Sequence, residues 1–317
     1  MARFLARRVL QLIPTLWGIT LVTFVIMHLA PGEPVAVELG DGAVSPEALQ
    51  SFRETMGLDQ PLHVQYAHWL SRVLRLDFGL STRDGRPVLD KIADALPHTL
   101  LLGTLALLLV VAVALPLGIH GAWRPGSWLE RTGKGALFFL HALPSFFVAL
   151  VLMGLLCGGA AWGVAIFPLH GLGDGGALDL AWHLVLPVVC LAFGSWATLA
   201  RQVRASLREV LAQDYIRAAR AQGIPESRVI LKLGLRNALL PAVTNLSVLV
   251  PALLGGSVVV ESIFGIPGLG LLGLQAVATR DYNTVMGVAC VVALVTLLAN
   301  LAADLVYAAI DPRTTHG

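Results

Sequence analysis

The sequence predicts an all-α membrane protein with six transmembrane helices, and three observations predict it. First, 56% of the 317 residues are apolar and 13% are charged, whereas soluble proteins carry about 25% charged residues. Second, six apolar stretches are long enough to cross a hydrocarbon core about 30 Å thick. Third, prolines within these stretches leave backbone carbonyl groups without a hydrogen-bond donor in their own helix. Neighbouring helices must supply the donor, which implies a packed bundle. This composition excludes a soluble enzyme, a disordered chain and a nucleic-acid-binding protein.

The first predicted span, residues 9–30, follows an N-terminal tail that carries Arg3, Arg7 and Arg8. Its apolar run of about 22 residues exceeds the 7–15 of a secretory signal, so we expect it to remain in the protein as a helix. The other five predicted spans cover residues 98–120, 136–158, 183–200, 239–261 and 285–309.

The distribution of basic residues predicts that both termini are cytoplasmic. In that orientation the cytoplasmic connections contain 15 of the 22 Lys and Arg residues, eight of them in residues 201–238. The two short external connections contain one, Arg280. The long segment 31–97 is left out of this comparison because long segments are translocated regardless of charge.

Residues 31–97 are predicted to form a small helical extra-cytoplasmic segment. Ser45 and Pro46 are typical of a helix start, Gly57 of a helix end, and Pro61 of the start of a second helix. About 65 residues are too few to form a robust core on their own, so we expect this segment to rest on the membrane helices.

The cytoplasmic loop 201–238 has the strongest local signals. Asp214 is expected to cap a helix over residues 215–222, and Gly223 to end it in the left-handed conformation. Pro225 then favours a second helix from Glu226 to about Asn237.

The first of these helices is shorter than the 12–15 residues that persist alone in water, so we expect something to hold it. One interpretation is docking on a soluble partner, with Arg217, Arg220 and Arg228 reaching carboxylates of that partner. The other is anchoring by anionic lipid head groups.

Residues 214–223, Asp-Tyr-Ile-Arg-Ala-Ala-Arg-Ala-Gln-Gly, and residues 236–241, Arg-Asn-Ala-Leu-Leu-Pro, resemble the ATPase-coupling loop of ABC importer permeases. Other matches, typical of the B-type subunit of the dipeptide/oligopeptide/nickel branch, lie at residues 7–14, 30–34, 57–62, 85–88 and 264–270. The chain departs from the general Glu-Ala-Ala motif, because Arg217 precedes Ala218 and Ala219. This indicates a basic docking contact.

The resemblance implies the type I (MetI-like) ABC importer permease fold over residues 95–304, within a multi-pass protein of the bacterial inner membrane. The remaining parts would be a tail and first helix (1–30), the external segment (31–97) and a cytoplasmic tail (310–317). Residues 201–238 would be the coupling loop, with contacts from Asp214, Tyr215, Arg217, Ala218, Ala219, Arg220, Gly223 and Pro225.

The resemblance also implies the partners of the chain. They are a second homologous permease that completes a heterodimer, two cytoplasmic ATPase subunits and an extra-cytoplasmic solute-binding protein. ATP and Mg would be bound by the ATPase subunits, and this chain would hold no cofactor, metal or catalytic residue. A phosphate-binding loop is also absent from the sequence, since Gly133-Lys134 has Trp128 where the first glycine of that motif belongs.

The stretch 262–284 is apolar but interrupted by Gly and Pro, so it is too broken to span the membrane. We interpret it either as a half-inserted external loop with a short helix near the translocation mouth or as a packed outer cap. Glu261, expected at a water-accessible interface, is a candidate gate or pathway residue together with Phe264, Pro267 and Gly268.

The leading functional hypothesis is a permease subunit for dipeptides or oligopeptides, with nickel, glutathione or haem as alternative substrates within the same family. A hypothesis of another class, an ion-coupled secondary transporter, predicts paired ionisable residues near the bilayer centre and an inverted repeat. The sequence shows neither. The substrate is not encoded in recognisable residues, because selectivity in such systems resides largely in the external binding protein.

Overall fold

A computed structural model describes residues 2–29, 59–128, 130–133, 135, 143–158 and 163–310. The regular structure in this part of the chain is helical, apart from two isolated β-bridges. In chain order the helices are α1 (Ala2–Leu29), α2 (Leu62–Val73), α3 (Val88–Trp123), α4 (Ser145–Leu156), α5 (Ala177–Leu211), α6 (Asp214–Ala221), α7 (Glu226–Arg228), a π-helix (Val229–Gly234), α8 (Leu235–Ala238), α9 (Leu240–Phe264), α10 (Leu269–Ala278) and α11 (Tyr282–Ile310).

Within the described residues, five helices are long and apolar enough to cross a membrane: α1, α3, α5, α9 and α11. They confirm five of the predicted spans. Of the predicted span 136–158, the first seven residues lie outside the described part of the chain, and α4 covers 12 residues of the remainder. The helix predicted after Ser45 also lies outside the described residues.

Helices α3 and α5 are longer than the apolar stretches that predicted them. The spans 98–120 and 183–200 were delimited by hydropathy alone, but each helix continues where buried residues keep the helical spacing. Val88 and Ile92 are buried in the extension of α3, and Leu207 and Val210 are buried in the extension of α5. Tertiary packing therefore prolongs both helices beyond the segment that a bilayer requires.

The chain divides into two compact units. The first comprises Met1–Thr99 and Pro267–Leu297, and the second comprises Leu100–Ile266 and Leu298–Gly317. In the first unit, Phe78, Val88, Ile92 and Ala95 pack with residues from α10 and α11. Helix α2 packs against α1, and the hydroxyl of Tyr66 lies 2.8 Å from Thr20 Oγ1.

The core of the second unit is formed by α3, α4, α5 and α9. Its buried members include many small residues, which let the helix backbones approach closely: Ala106, Ala114, Ala149, Cys190, Ala192, Ala200 and Ala242. The closest approach joins α3 to α5 at Gly118, where a Cβ atom would lie 2.8 Å from Val203 Cβ and 2.9 Å from the Ala200 carbonyl oxygen.

We predict that Gly118→Ala lowers the free energy of unfolding by about 1–3 kcal/mol, because the added methyl group forces α3 and α5 apart. The measurement is the thermal unfolding of the purified chain in detergent. Gly103→Ala is the matched control on the same helix, since a Cβ there meets nothing within 4 Å. Equal stability of the two variants would contradict the packing described for α3 and α5.

Candidate functional site

The short helix predicted in residues 201–238 is α6, Asp214–Ala221, and it begins one residue earlier than expected. The expected capping role of Asp214 is wrong. Gln213 occupies the N-cap without a side-chain hydrogen bond, and the Asp214 carboxylate pairs with Arg217. A carboxylate in the first turn still stabilises the helix, because it faces the positive end of the helix dipole.

The chain itself holds α6 in place. Ile216 is fully buried and Ala219 is 7% exposed, and both pack against Val229 in an apolar cluster that Leu211, Ile224 and Leu233 border. The same helix exposes Asp214, Arg217, Ala218 and Ala221 on its other side. The exposed face is therefore preformed, and it is available for a partner.

The two arginines of α6 are paired within the loop. Arg220 donates two hydrogen bonds to Glu226, at 2.7 and 3.1 Å, which close the turn between the two helical segments. This hydrogen bonding lowers the pKa of Glu226 and raises that of Arg220. Because both side chains are about 40% exposed, the pair contributes at most about 1 kcal/mol. Its main effect is to fix the geometry of the turn.

Arg228 differs from the arginines of α6, because it donates no side-chain hydrogen bond to any residue that the structure describes. Of the three arginines expected to reach a partner's carboxylates, only Arg228 is thus unpaired within the loop.

Gly223 ends the turn of α6 as the sequence predicts. Its φ is +75°, and a Cβ there would meet nothing within 4 Å. The requirement for glycine is therefore conformational rather than steric. Pro225 follows at the N-cap of α7, with a φ of −57°.

The second predicted helix, 226–237, is interrupted by the π-helix Val229–Gly234. Two consecutive residues of this segment are buried in different clusters. Val229 belongs to the α6 cluster, whereas Ile230 packs with Leu207, Val210 and Ala238. Sequence periodicity could not reveal the π-helix, since the apolar residues also fit an ordinary α-helix.

Tyr215 connects α6 to residues 226–238, which follow it in the chain. Its hydroxyl oxygen accepts a hydrogen bond from Asn237 Nδ2 at 3.0 Å, and the hydroxyl lies 3.5 Å from the Leu233 carbonyl oxygen. With the apolar contacts, this makes residues 214–238, here named the coupling segment, one packed body.

The predicted gate residues belong to different units. In the second unit, Glu261 and Phe264 lie in the last turns of α9, and both side chains are buried. The expectation that water reaches Glu261 is wrong for this structure, because its side chain is 0% exposed. Helix α9 ends in the left-handed residue Gly265, with a φ of +64°.

In the first unit, Pro267 and Gly268 precede α10, the short helix predicted within 262–284. The Pro267 carbonyl oxygen lies 3.2 Å from His98 Nδ1. The backbone amide of Leu269, next to Gly268, donates a 2.8 Å hydrogen bond to Thr99 Oγ1. Both contacts attach the start of α10 to the first half of α3.

Comparison with known protein families identifies the family of this chain. Residues 114–316 match the family model for the binding-protein-dependent transport system inner membrane component. Residues 1–103 match the model for the N-terminal part of such membrane components. The chain belongs to this permease family. It is a membrane transport component and not an enzyme.

Curated relatives match the permease over its full length. The oligopeptide transport system permease protein AppB of Bacillus subtilis is 40% identical, with 100% of both chains covered. The dipeptide transport system permease protein DppB of Escherichia coli K12 is 35% identical over 100% of this chain and 99% of its own. The glutathione transport system permease protein GsiC of Salmonella choleraesuis is 37% identical, again with 100% of both chains covered.

A solved structure shows the same fold. A chain of the inward-facing MetNI methionine ABC transporter aligns with a TM-score of 0.55 and 22% identity, over 69% of this chain and 96% of its own. The MetI-like fold expected from the sequence is therefore confirmed at the level of architecture.

The permease also has a buried polar cluster in its first unit that sequence reasoning missed. The Asp281 carboxylate accepts hydrogen bonds from Ser81 Oγ at 2.5 Å and Thr284 Oγ1 at 2.6 Å. Lys91 lies 3.9 Å from Asp281 and bonds Asp84 at 3.0 Å, which lowers the pKa of Asp84 to about 2. The cluster fixes the loop before α3 to the junction of α10 and α11.

We predict that Asp281→Ala lowers the free energy of unfolding by about 3–5 kcal/mol, because buried donors and a nearby ammonium group lose their acceptor. Chemical or thermal denaturation in detergent measures this loss. The control is Asp94→Ala, which removes the exposed ion pair with Arg86 and is expected to cost at most about 1 kcal/mol. Losses of similar size in both variants would show that the Asp281 cluster is not a structural anchor.

Proposed function

We propose that this chain is one of two permease subunits of an ATP-driven ABC importer, and that it forms half of the translocation pathway for dipeptides or oligopeptides. Full-length relatives named for oligopeptide, dipeptide and glutathione transport support a peptide substrate. The observation that carries the proposal is the preformed coupling segment, which presents an exposed helical face on a body packed against α5.

The proposed assembly is a heterodimer with a second homologous permease, two cytoplasmic ATPase subunits and an external solute-binding protein. ATP and Mg would be held by the ATPase subunits, since the sequence of this chain has no phosphate-binding loop. The contact face on α6 is small and carries Arg217 and Ala218. A small residue allows close approach of another backbone, as at other helix interfaces.

The proposed topology has six spans, both termini in the cytoplasm and residues 31–97 outside the inner membrane. The concentration of basic residues in the connections assigned to the cytoplasm supports this orientation. It places the coupling segment on the same side of the membrane as the ATPase subunits and α10 on the opposite side.

The mechanism requires only that the free-energy difference between the inward-facing and outward-facing permease depends on whether the ATPase pair is open or closed. ATP binding closes the ATPase pair, and the α6 contacts then favour the outward-facing permease; hydrolysis reverses the preference. The permease responds because its two conformations bind open and closed ATPases with different affinities. Gly223 and the Arg220–Glu226 pair keep α6 at a fixed angle to residues 226–238. A displacement of α6 therefore reaches the membrane helices.

The test compares Gly223→Val with Gly223→Asn in the complete transporter reconstituted in vesicles. Valine strongly disfavours a positive φ, whereas asparagine tolerates it, and both side chains enter open space. We predict that the valine variant hydrolyses ATP with little peptide uptake, while the asparagine variant keeps most of the uptake. The measurements are ATP hydrolysis and accumulation of labelled dipeptide.

Equal and normal uptake by both variants would contradict the role of the Gly223 turn. ATP-independent uptake by the wild-type complex would contradict the proposed function itself.

A further inference from the structure

Arg204, on the cytoplasmic extension of α5, makes a buried ion pair that the proposed coupling contacts do not use. Its guanidinium pairs with the carboxylate of Glu130, whose side chain is 4% exposed, while the Arg204 side chain is 24% exposed. Arg204 Nε also donates a 3.2 Å hydrogen bond to the carbonyl oxygen of Gly121 in the last turn of α3. One side chain of α5 therefore holds both the end of α3 and the residue Glu130 beyond it.

The segment that follows α3 is built around the Glu130 carboxylate. The backbone amide of Gly126 donates to Glu130 Oε2, and the amide of Glu130 itself donates to Ser127 Oγ at 3.3 Å. A buried carboxylate is retained only with a well-placed partner of opposite charge, because the charge alone would be costly. The pair thus fixes Gly121 and Glu130 to a defined point on α5.

Arg204 lies on α5 between the residues that pack with the coupling segment and those that pack in the core of the second unit. One residue before it, Val203 packs at the close approach of α3 and α5. One and two turns after it, Leu207 and Val210 pack with Ile230 of the coupling segment. A displacement of the coupling segment therefore reaches α5 through Leu207 and Val210, and it reaches the end of α3 through Ala122, a member of the same cluster.

Apolar contacts alone do not fix how α3 follows α5. The contact at Gly118 limits how closely the two helices approach, but the burial of apolar surface is non-directional. The Arg204 guanidinium, by contrast, can pair with the Glu130 carboxylate and donate to the Gly121 carbonyl oxygen together in only a narrow range of geometries. The ion pair with Glu130 and the directional hydrogen bond to Gly121 therefore set the register of the two helices.

We propose, resting on the function proposed above, that Arg204 and Glu130 are positioning residues of the transport cycle, which make the end of α3 move with the coupling segment. Without the pair, α6 still docks and ATP is still hydrolysed, but α3 no longer follows α5. The ratio of ATP hydrolysed to peptide transported then rises.

The experiment measures this ratio in vesicles that contain the complete transporter. The decisive variant is the double substitution Arg204→Met/Glu130→Leu. It removes both charges together, leaves no buried charge unpaired, and is expected to fold as stably as the wild type. The single variant Arg204→Lys keeps the charge but cannot hold both acceptors with a planar fork. The control is Arg208→Gln, one turn further along α5, where the arginine is exposed.

We expect the double variant to assemble and unfold normally while its ATP-to-peptide ratio rises at least fivefold, the lower end of the about 5–150-fold range of allosteric coupling. Arg204→Lys should lie between the double variant and the wild type, and Arg208→Gln should match the wild type. A wild-type ratio in a stable double variant would overturn the inference and leave the proposed function intact. Failure of the wild-type complex to couple uptake to ATP would overturn the proposed function as well.

Discussion

The loop between α5 and α9 depends on the burial of one face of α6. An eight-residue helix does not persist in water by its own hydrogen bonds, so the contact of Ile216 and Ala219 with Val229 decides whether the helix exists. Because these contacts are intramolecular, α6 is ordered before any partner binds. A partner therefore does not have to order the helix itself, which favours both affinity and a defined docking angle.

The same packing links α6 to the membrane helices. Within the π-helix, Val229 lies in the α6 cluster and the next residue, Ile230, lies in the cluster around Leu207, so the two clusters are directly connected along the chain. Polar contacts then fix the relative position of the packed helices, which the apolar contacts do not define. Tyr215 on the coupling segment and Arg204 on α5 each contact two partners. Apolar burial thus supplies the stability of this region, and hydrogen-bond geometry supplies its register.

Sequence reasoning succeeded where the signal is local. Five spans, the left-handed Gly223 and the short helix after Gly268 follow from hydropathy, glycine conformation and spacing. It failed where a residue's role is set by a distant segment. Asp281 meets Ser81 across 200 residues of chain, and a lone acidic residue in a loop gives no indication of such a contact. The cap expected at Asp214 was wrong for a local reason, since the helix begins at Asp214 itself and its carboxylate pairs with Arg217 three residues later.

The most direct test of the central claim, that α5 and the coupling segment move as one packed body, is a spin-label distance measurement. Labels at Ala205 and Gln222, both exposed, are introduced into a variant in which Cys157, Cys190 and Cys290 are replaced by serine. The account predicts one narrow distance distribution, unchanged between the nucleotide-free and ATP-bound transporter. A broad distribution, or one that shifts when ATP binds, would show that α6 moves independently of α5 and would contradict the account.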